Sequence, residues 1–155
     1  MLYKYGVSAA LALVFTCSGC AGSGTHAKSA PAPQRNGSSA DQSLANGRSI
    51  FMTGRDLSGV HIRAKSRPLR TSCAACHKPD GSGGVRFADG AVSADLRHAA
   101  LVTKQKHPYT VALLQRAIST GIDNEGKPLD PVMPRWQMSA RELHDVAEYV
   151  YTRLK

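Results

Sequence analysis

The residues of this chain with the clearest chemical potential are Cys73, Cys76 and His77, which form the pattern C-x-x-C-H. Two thiols three residues apart can add to the two vinyl groups of one porphyrin, and the histidine that follows can then bind its iron. The four cysteines of the chain form two pairs, and the other pair lies within the first twenty residues. The motif therefore predicts one covalently attached haem c per chain.

Other uses of a C-x-x-C pair fit this sequence less well. A thioredoxin-like dithiol needs a strand-to-helix context and has no use for the adjacent histidine. A disulfide between residues three apart closes a short loop and adds little stability. A zinc site needs four ligands, and outside the motif the rest of the chain after residue 43 offers only scattered histidines, His61, His98, His107 and His144.

A second iron ligand has to come from another part of the chain. The strongest candidate is Met133, because the prolines on both sides of it, in Pro-Val-Met-Pro, stiffen the backbone that carries its thioether. A methionine that fills a gap in the core is the alternative reading of the same residue. Other side chains that could reach the iron are those of Met52, Met138, His98 and His107.

The first twenty residues have the layout of an export signal. Lys4 precedes an apolar stretch that is too short to span a bilayer and ends in small residues and cysteines. This layout predicts a bacterial lipoprotein signal peptide over residues 1–20, in which Cys20 is lipidated and becomes the new N-terminus. Cys17 is the less suitable acceptor, because Thr16 precedes it where a small residue is wanted. A plain secretory peptide and an uncleaved anchor are the alternatives.

Residues 21–43 are rich in Ala, Gly, Ser and Pro and contain no large apolar residue. Such a segment cannot bury enough apolar area to offset its ordering entropy, so it is predicted to be a flexible linker. The remaining residues, 44–155, are expected to form one domain. No apolar run of the chain reaches about 18 residues, which excludes a protein that spans the membrane several times.

Three segments of this domain have helical spacing: about Ser43–Thr53, Thr110–Thr120 and the segment after Ser139. The last is the clearest, because Ser139 and Glu142 form a capping box ahead of an apolar stripe. No segment alternates as a strand would. Three short helices and long Gly-rich loops form a small core, so a further group is expected to fill the centre.

The chain resembles the class I c-type cytochromes. The segments that carry the resemblance are CAACHKPDGSGG (73–84), ISTGIDNEGKPLDPVMPRW (118–136), DVAEYVYTRL (145–154) and an early helix with Gly47 and Phe51. It covers residues 44–155, and it implies a small all-α cytochrome c fold. In that fold three or more helices wrap around covalently bound haem and are joined by Gly- and Pro-rich loops.

The resemblance also implies roles for individual residues. Cys73 and Cys76 correspond to the thioether anchors, His77 to the proximal iron ligand and Met133 to the distal one. Many relatives carry a G-P-x-L segment whose carbonyl accepts a hydrogen bond from the proximal histidine, and this chain has GVRF at 84–87 instead. The acceptor for His77 is therefore not identified by the resemblance.

The charge of the chain points to an anionic partner. It has 20 Lys and Arg against 11 Asp and Glu, a formal net charge of +9. We expect the cations that flank the motif to form a positive collar that steers encounter with the acidic face of a redox partner protein, and a solvated basic loop is the alternative. Export excludes nucleic acid as the partner, and an anionic lipid surface is a further alternative. The residues of this collar are Arg63, Lys65, Arg67, Arg70 and Lys78.

Two residues next to Met133 are candidates for contacts with the haem propionates. Arg135 and Trp136 both carry N–H donors that could serve this purpose, and Trp136 could equally pack against the haem.

With His and Met on both axial sites, no iron position remains for a substrate. The sequence therefore predicts an electron carrier that is not an enzyme. We expect it at the periplasmic face of a bacterial membrane, tethered through Cys20 and exchanging electrons with respiratory or dehydrogenase partners. The alternative is a haem-based gas or redox sensor, or a peroxidase-like enzyme, whose distal ligand dissociates.

Overall fold

The computed structural model describes residues 38–66, 68 and 70–155. The predicted signal peptide, residues 21–37 of the predicted linker and Arg67 lie outside the described residues. No helix in the described part is long and apolar enough to cross a membrane. The elements in chain order are α1 (Ser39–Thr53), β1 (Arg63–Ala64), α2 (Ala74–His77), a π-helical turn (Ala99–Thr103), α3 (Val111–Thr120), β2 (Trp136–Gln137) and α4 (Ala140–Arg153).

Helix α1 begins four residues earlier than the sequence analysis predicts. Ser38 caps it, since its side chain accepts a hydrogen bond from the Asp41 N–H while the Asp41 carboxylate accepts one from the Ser38 N–H. This capping box satisfies two backbone donors that would otherwise have no partner in the first turn. The last residues of the predicted linker, 39–43, are therefore helical, although none of them is a large apolar residue.

Helices α1 and α4 cross at Gly47, where the two backbones come very close. A Cβ at this position would lie 2.0 Å from the Asp145 carbonyl oxygen and 2.8 Å from the Tyr149 Cβ. The buried Phe51 ring contacts that of Tyr149 beside the crossing, with ring centroids 5.6 Å apart. The buried Asp145 carboxylate accepts hydrogen bonds from the Ser43 hydroxyl and, at 2.8 Å, from the Asn46 amide.

We expect Gly47→Ala to lower the free energy of unfolding of the holoprotein by about 2 kcal/mol, because the new methyl group forces the helices apart. Helix propensity alone predicts the opposite sign, a gain of up to about 1 kcal/mol. Equilibrium unfolding in denaturant measures the difference. A variant more stable than wild type would show that the crossing can relax at no cost.

Helices α3 and α4 confirm the prediction from caps and apolar spacing. The Thr110 side chain accepts from the Leu113 N–H at the start of α3, and Gly121 ends it in the left-handed conformation. Ser139 and Glu142 form the predicted capping box of α4. The apolar faces of both helices contribute to one buried cluster, whose members include Leu114, Ile118, Val146 and Val150.

A two-stranded ladder that the sequence analysis did not predict joins the segments before the cysteines and after Met133. Strands β1 and β2 pair antiparallel, with Arg63 opposite Gln137 and Ala64 opposite Trp136. Two residues per strand are too few to show alternation in the sequence. Helix α2 and the π-helical turn also went unpredicted, because each is little more than one turn long.

Candidate functional site

The C-x-x-C-H segment folds as a single helical turn at the edge of a large cavity. The N–H of His77 donates to the Cys73 carbonyl at 2.8 Å, which closes the turn. Cys73, Cys76 and His77 all line the cavity, which has a volume of about 390 Å³, and both cysteines are free thiols. The cavity lining is mainly apolar, and α1, α3 and α4 contribute to it the side chains of Phe51, Leu114, Ile118, Val146 and Val150.

The imidazole of His77 is buried and held in one orientation. Its Nδ1 lies 2.8 Å from the Ala94 carbonyl oxygen, so Nδ1 carries the proton and Nε2 is free to bind a metal. Burial lowers the pKa of His77, and the Ala94 carbonyl opposes this by stabilising the protonated ring. The neutral imidazole that results is the form that coordinates iron.

Ala94 is the acceptor that the resemblance left unidentified. It lies in a segment that packs against the loop after the motif, where the Gly84 N–H donates to the Ser93 carbonyl at 2.8 Å and the Leu96 N–H to the Gly81 carbonyl at 2.7 Å. The Ser93 hydroxyl also donates to the Cys76 carbonyl at 2.8 Å. The acceptor is a backbone oxygen, which any residue type supplies, and the segment AVSADL (91–96) lacks the G-P-x-L motif that would have identified it.

Desolvation raises the pKa of Cys73 to about 12, and it also raises the pKa of Cys76, where the nearby Arg70 guanidinium opposes the shift. The side chains of Cys73 and Cys76 and the fixed imidazole of His77 line the same cavity, which fits the covalently attached haem that the motif predicts. The expected iron ligand on this side is the Nε2 of His77.

Met133 lines the same cavity as His77. The loop that carries it is shaped by Asp130, whose carbonyl accepts from the Met133 N–H at 3.1 Å and whose carboxylate accepts from the Val132 N–H at 2.8 Å. Met133 is the one methionine among the described residues that line the cavity. The structure thus brings together the two residues that the sequence analysis proposed as axial ligands.

The other candidate ligands lie elsewhere. Met52 and Met138 pack against the buried core, and Met138 lines a separate small space beside Ile50. The His98 ring makes an edge contact with Tyr151, with centroids 5.6 Å apart. The exposed His107 lies 3.6 Å from the Glu125 carboxylate. None of these four side chains is among the cavity-lining residues in the described part of the chain.

The two candidates for propionate contacts differ in their positions. Trp136 is buried and lines the cavity. Arg135 is not among the described cavity-lining residues, and its guanidinium donates to the backbone carbonyls of Leu129 at 2.7 Å, Asp130 at 3.2 Å and Met133. The structure therefore gives Arg135 partners other than the propionates that the sequence analysis suggested.

Several polar residues of the cavity were not singled out from the sequence. Among them Tyr109 is half-buried, and burial raises the pKa of its hydroxyl while a backbone hydrogen bond at Asn124 opposes the shift. Their types and spacing gave no sign of a role at the site, so only their position in the fold identifies them. They include Ser93, Asp95, Gln105, Tyr109, Asp123 and Asn124.

The cations of the predicted collar are exposed wherever they are described. Arg63, Lys65, Arg70 and Lys78 are all exposed, and in the described part of the chain none of them forms an ion pair with a carboxylate. Arg70 also lines the cavity, close enough to Cys76 to influence its pKa. Positive charge is therefore present at the edge of the cavity where the cysteines lie.

Comparison with known proteins shows a family and distant similarity to solved structures. The family model described as Cytochrome c matches residues 66–153, more than half of the chain. No curated protein matches the sequence significantly. One similar solved structure is that of oxidised SHP, described as an oxygen-binding cytochrome c. It has 15% sequence identity and a TM-score of 0.41, over 71% of this chain and 81% of that one.

Proposed function

Because this chain belongs to the cytochrome c family, we propose that it is a monohaem electron carrier with His77 and Met133 as its two axial iron ligands. As a c-type cytochrome it binds haem c covalently, and Cys73 and Cys76 have the spacing of the attachment motif. The haem supplies an iron that cycles between Fe(III) and Fe(II). Proteins of this family are generally electron carriers.

The observation that carries this proposal is that His77 and Met133 line one cavity while the rival ligands do not. The Ala94 carbonyl fixes the ring of His77, and the loop around Asp130 fixes the backbone of Met133. Two protein ligands in both oxidation states leave no open position and keep the reorganisation on electron transfer small. The soft thioether of Met133 favours Fe(II). The reduction potential is therefore higher than that of an iron bound by two histidines.

A redox titration of the purified holoprotein, followed by visible and near-infrared spectra, tests the proposal. We expect one reversible one-electron step, a thioether-to-iron charge-transfer band in the oxidised form, and poor binding of carbon monoxide by the reduced form. Ready binding of carbon monoxide by the wild-type protein would instead indicate a sensor or a peroxidase-like enzyme with a dissociable distal ligand.

We further propose that the protein is exported and tethered to a bacterial membrane at its periplasmic face through a lipidated Cys20. The sequence of residues 1–20 supports this, and the Ala-, Gly-, Ser- and Pro-rich segment that follows is suited to a tether. A single acyl chain binds a membrane only marginally, so stable anchoring takes a second chain or another membrane-binding signal.

Cys20→Ser is expected to move the haem protein from the membrane fraction to the soluble fraction, because the acceptor thiol of the lipid is lost. The visible spectrum should not change, since residue 20 lies far along the chain from the motif. Cys17→Ser is the matched control and should leave the protein in membranes. Recovery of the Cys20 variant in membranes would favour an uncleaved anchor or a tightly bound partner.

We propose that the physiological partner is a redox protein with an acidic docking face, and the exposed collar cations support this proposal. Exposed cations beside the cavity raise the local concentration of anions and speed their encounter. Arg70 is the cation best placed for this, because it is both exposed and part of the cavity edge near Cys76.

Arg70→Glu is expected to slow oxidation of the reduced protein by the anion ferricyanide about three- to tenfold at low ionic strength, and to speed oxidation by a cationic cobalt complex. Stopped-flow absorbance measures both rates, and salt should suppress both effects. Arg48→Glu is the matched control, because Arg48 is exposed on α1 and does not line the cavity. Equal effects of the two variants would mean that net charge alone matters and that the collar does not steer.

A further inference from the structure

The guanidinium of Arg135 donates hydrogen bonds to three carbonyls of the loop that carries Met133. One guanidinium nitrogen donates to the carbonyls of Asp130, at 3.2 Å, and Met133, and the other terminal nitrogen donates to the Leu129 carbonyl at 2.7 Å. No carboxylate of the described residues forms an ion pair with it. The positive charge is therefore solvated by backbone oxygens, and such charge-assisted hydrogen bonds are stronger than neutral ones.

The rest of Arg135 is attached to the fixed frame of the molecule. Its carbonyl accepts from the Lys65 N–H at 2.9 Å, and the next residue, Trp136, pairs with Ala64 in the two-stranded ladder. On its other side the guanidinium packs against Gly121 at the end of α3, where a Cβ would lie 1.8 Å from the Arg135 Nε. Arg135 thus connects α3, the ladder and the Met133 loop.

Apart from Arg135, the hydrogen bonds that the Met133 and Val132 N–H groups donate to Asp130 hold the shape of this loop. Pro131 and Pro134 have no N–H to donate, so the backbone on both sides of Met133 lacks two ordinary hydrogen bonds. The planar guanidinium offers donors in a rigid fork, whereas a lysine ammonium is a compact point charge on a flexible stem. Lysine at this position could satisfy one of the three carbonyls well but could not hold their relative positions.

We propose that Arg135 is a positioning residue that keeps the Met133 thioether at the iron, by holding the carbonyls of Leu129, Asp130 and Met133 in a fixed arrangement. This inference rests on the proposed coordination by Met133. The Met133 thioether would leave the iron when the loop moves, and movement of the loop breaks the contacts with Arg135. Loss of those contacts therefore raises the fraction of molecules in which Met133 is dissociated.

Exogenous imidazole reports this fraction, because it binds to oxidised iron only after Met133 has left. Its apparent dissociation constant is the intrinsic one divided by the dissociated fraction. Losing even one charge-assisted hydrogen bond shifts such an equilibrium by about tenfold. We therefore expect Arg135→Gln and Arg135→Lys holoproteins to bind imidazole about tenfold more tightly than wild type, measured by visible absorbance.

Two controls separate positioning from a general loss of stability. Arg55→Lys is the matched substitution, because Arg55 also donates to a loop carbonyl, that of Gly59 at 2.6 Å, and does not line the cavity. It should leave imidazole binding unchanged. In a Met133→Ala background, Arg135→Gln should have no further effect on imidazole binding, because the residue through which it acts is gone.

The outcomes distinguish this inference from the proposed function. If Met133→Ala removes the charge-transfer band while both Arg135 variants bind imidazole as wild type does, the coordination stands and the role of Arg135 is refuted. If the wild-type protein lacks the charge-transfer band, both the coordination by Met133 and the positioning role of Arg135 are refuted. If Arg135→Lys yields no holoprotein whereas Met133→Ala does, Arg135 serves folding and the positioning role is wrong.

Discussion

Replacing Met133 by alanine is expected to abolish the thioether-to-iron charge-transfer band of the oxidised protein. The alanine side chain cannot coordinate iron, and no other methionine of the described residues lines the cavity. Loss of the sulfur ligand removes the preference for Fe(II), so the potential should fall on the order of 100 mV, within the roughly 0.8 V range that axial ligands span. The freed position should also bind carbon monoxide, which the wild-type protein is expected to bind poorly.

Met138→Ala is the control for the Met133 substitution. Met138 lies five residues further along the chain and packs beside Ile50 and Trp136, outside the cavity. Its loss should lower stability but leave the band, the potential and carbon monoxide binding unchanged. A Met133 variant that retains the band and the potential, with a Met138 or His107 variant that changes them, would show that the ligand assignment is wrong.

The second large effect is expected at the cysteines of the motif. Haem should remain with the wild-type polypeptide after extraction with acidified acetone, because two thioether bonds attach it. A double Cys73→Ala, Cys76→Ala variant should release any haem it acquires into the organic phase, and each single variant should accumulate far less holoprotein. Absorbance of the organic and aqueous phases measures the partition.

Ser72→Ala is the matched control for the cysteine substitutions. Ser72 precedes the motif and lines the same cavity, and its hydroxyl accepts from the Ala75 N–H at 3.3 Å. This variant should retain covalent haem. Recovery of haem in the organic phase from wild-type protein would contradict covalent attachment, and unchanged attachment in the double variant would mean that other residues bind the haem.

The parts of the fold predicted from the sequence are those that depend on local interactions. The bounds of α3 and α4 follow from Thr110, Gly121 and the Ser139–Glu142 capping box, which act within one turn of the residues they cap. The start of α1 was misplaced even though its cap is equally local. Its Ser38–Asp41 capping box lies in a segment without large apolar residues, and composition alone suggested a linker.

The chemistry of the site divides in the same way. The sequence by itself determined the attachment motif, because the spacing of Cys73, Cys76 and His77 is dictated by the haem that they bind, and it indicated Met133 through the flanking prolines. The side-chain types in these positions carry the information. These residue types can be read from the sequence without knowledge of how the rest of the chain folds.

Only the tertiary structure decided which backbone atoms support those side chains. The His77 ring is oriented by the Ala94 carbonyl, and Arg135 donates to the carbonyls of Leu129, Asp130 and Met133. A carbonyl oxygen is identical in every residue, so its use as an acceptor leaves no trace in the sequence. The helix crossing and the two-stranded ladder bring particular loops together, and this decides which carbonyl each donor side chain meets. The contacts of the crossing and of the ladder join residues far apart in the chain.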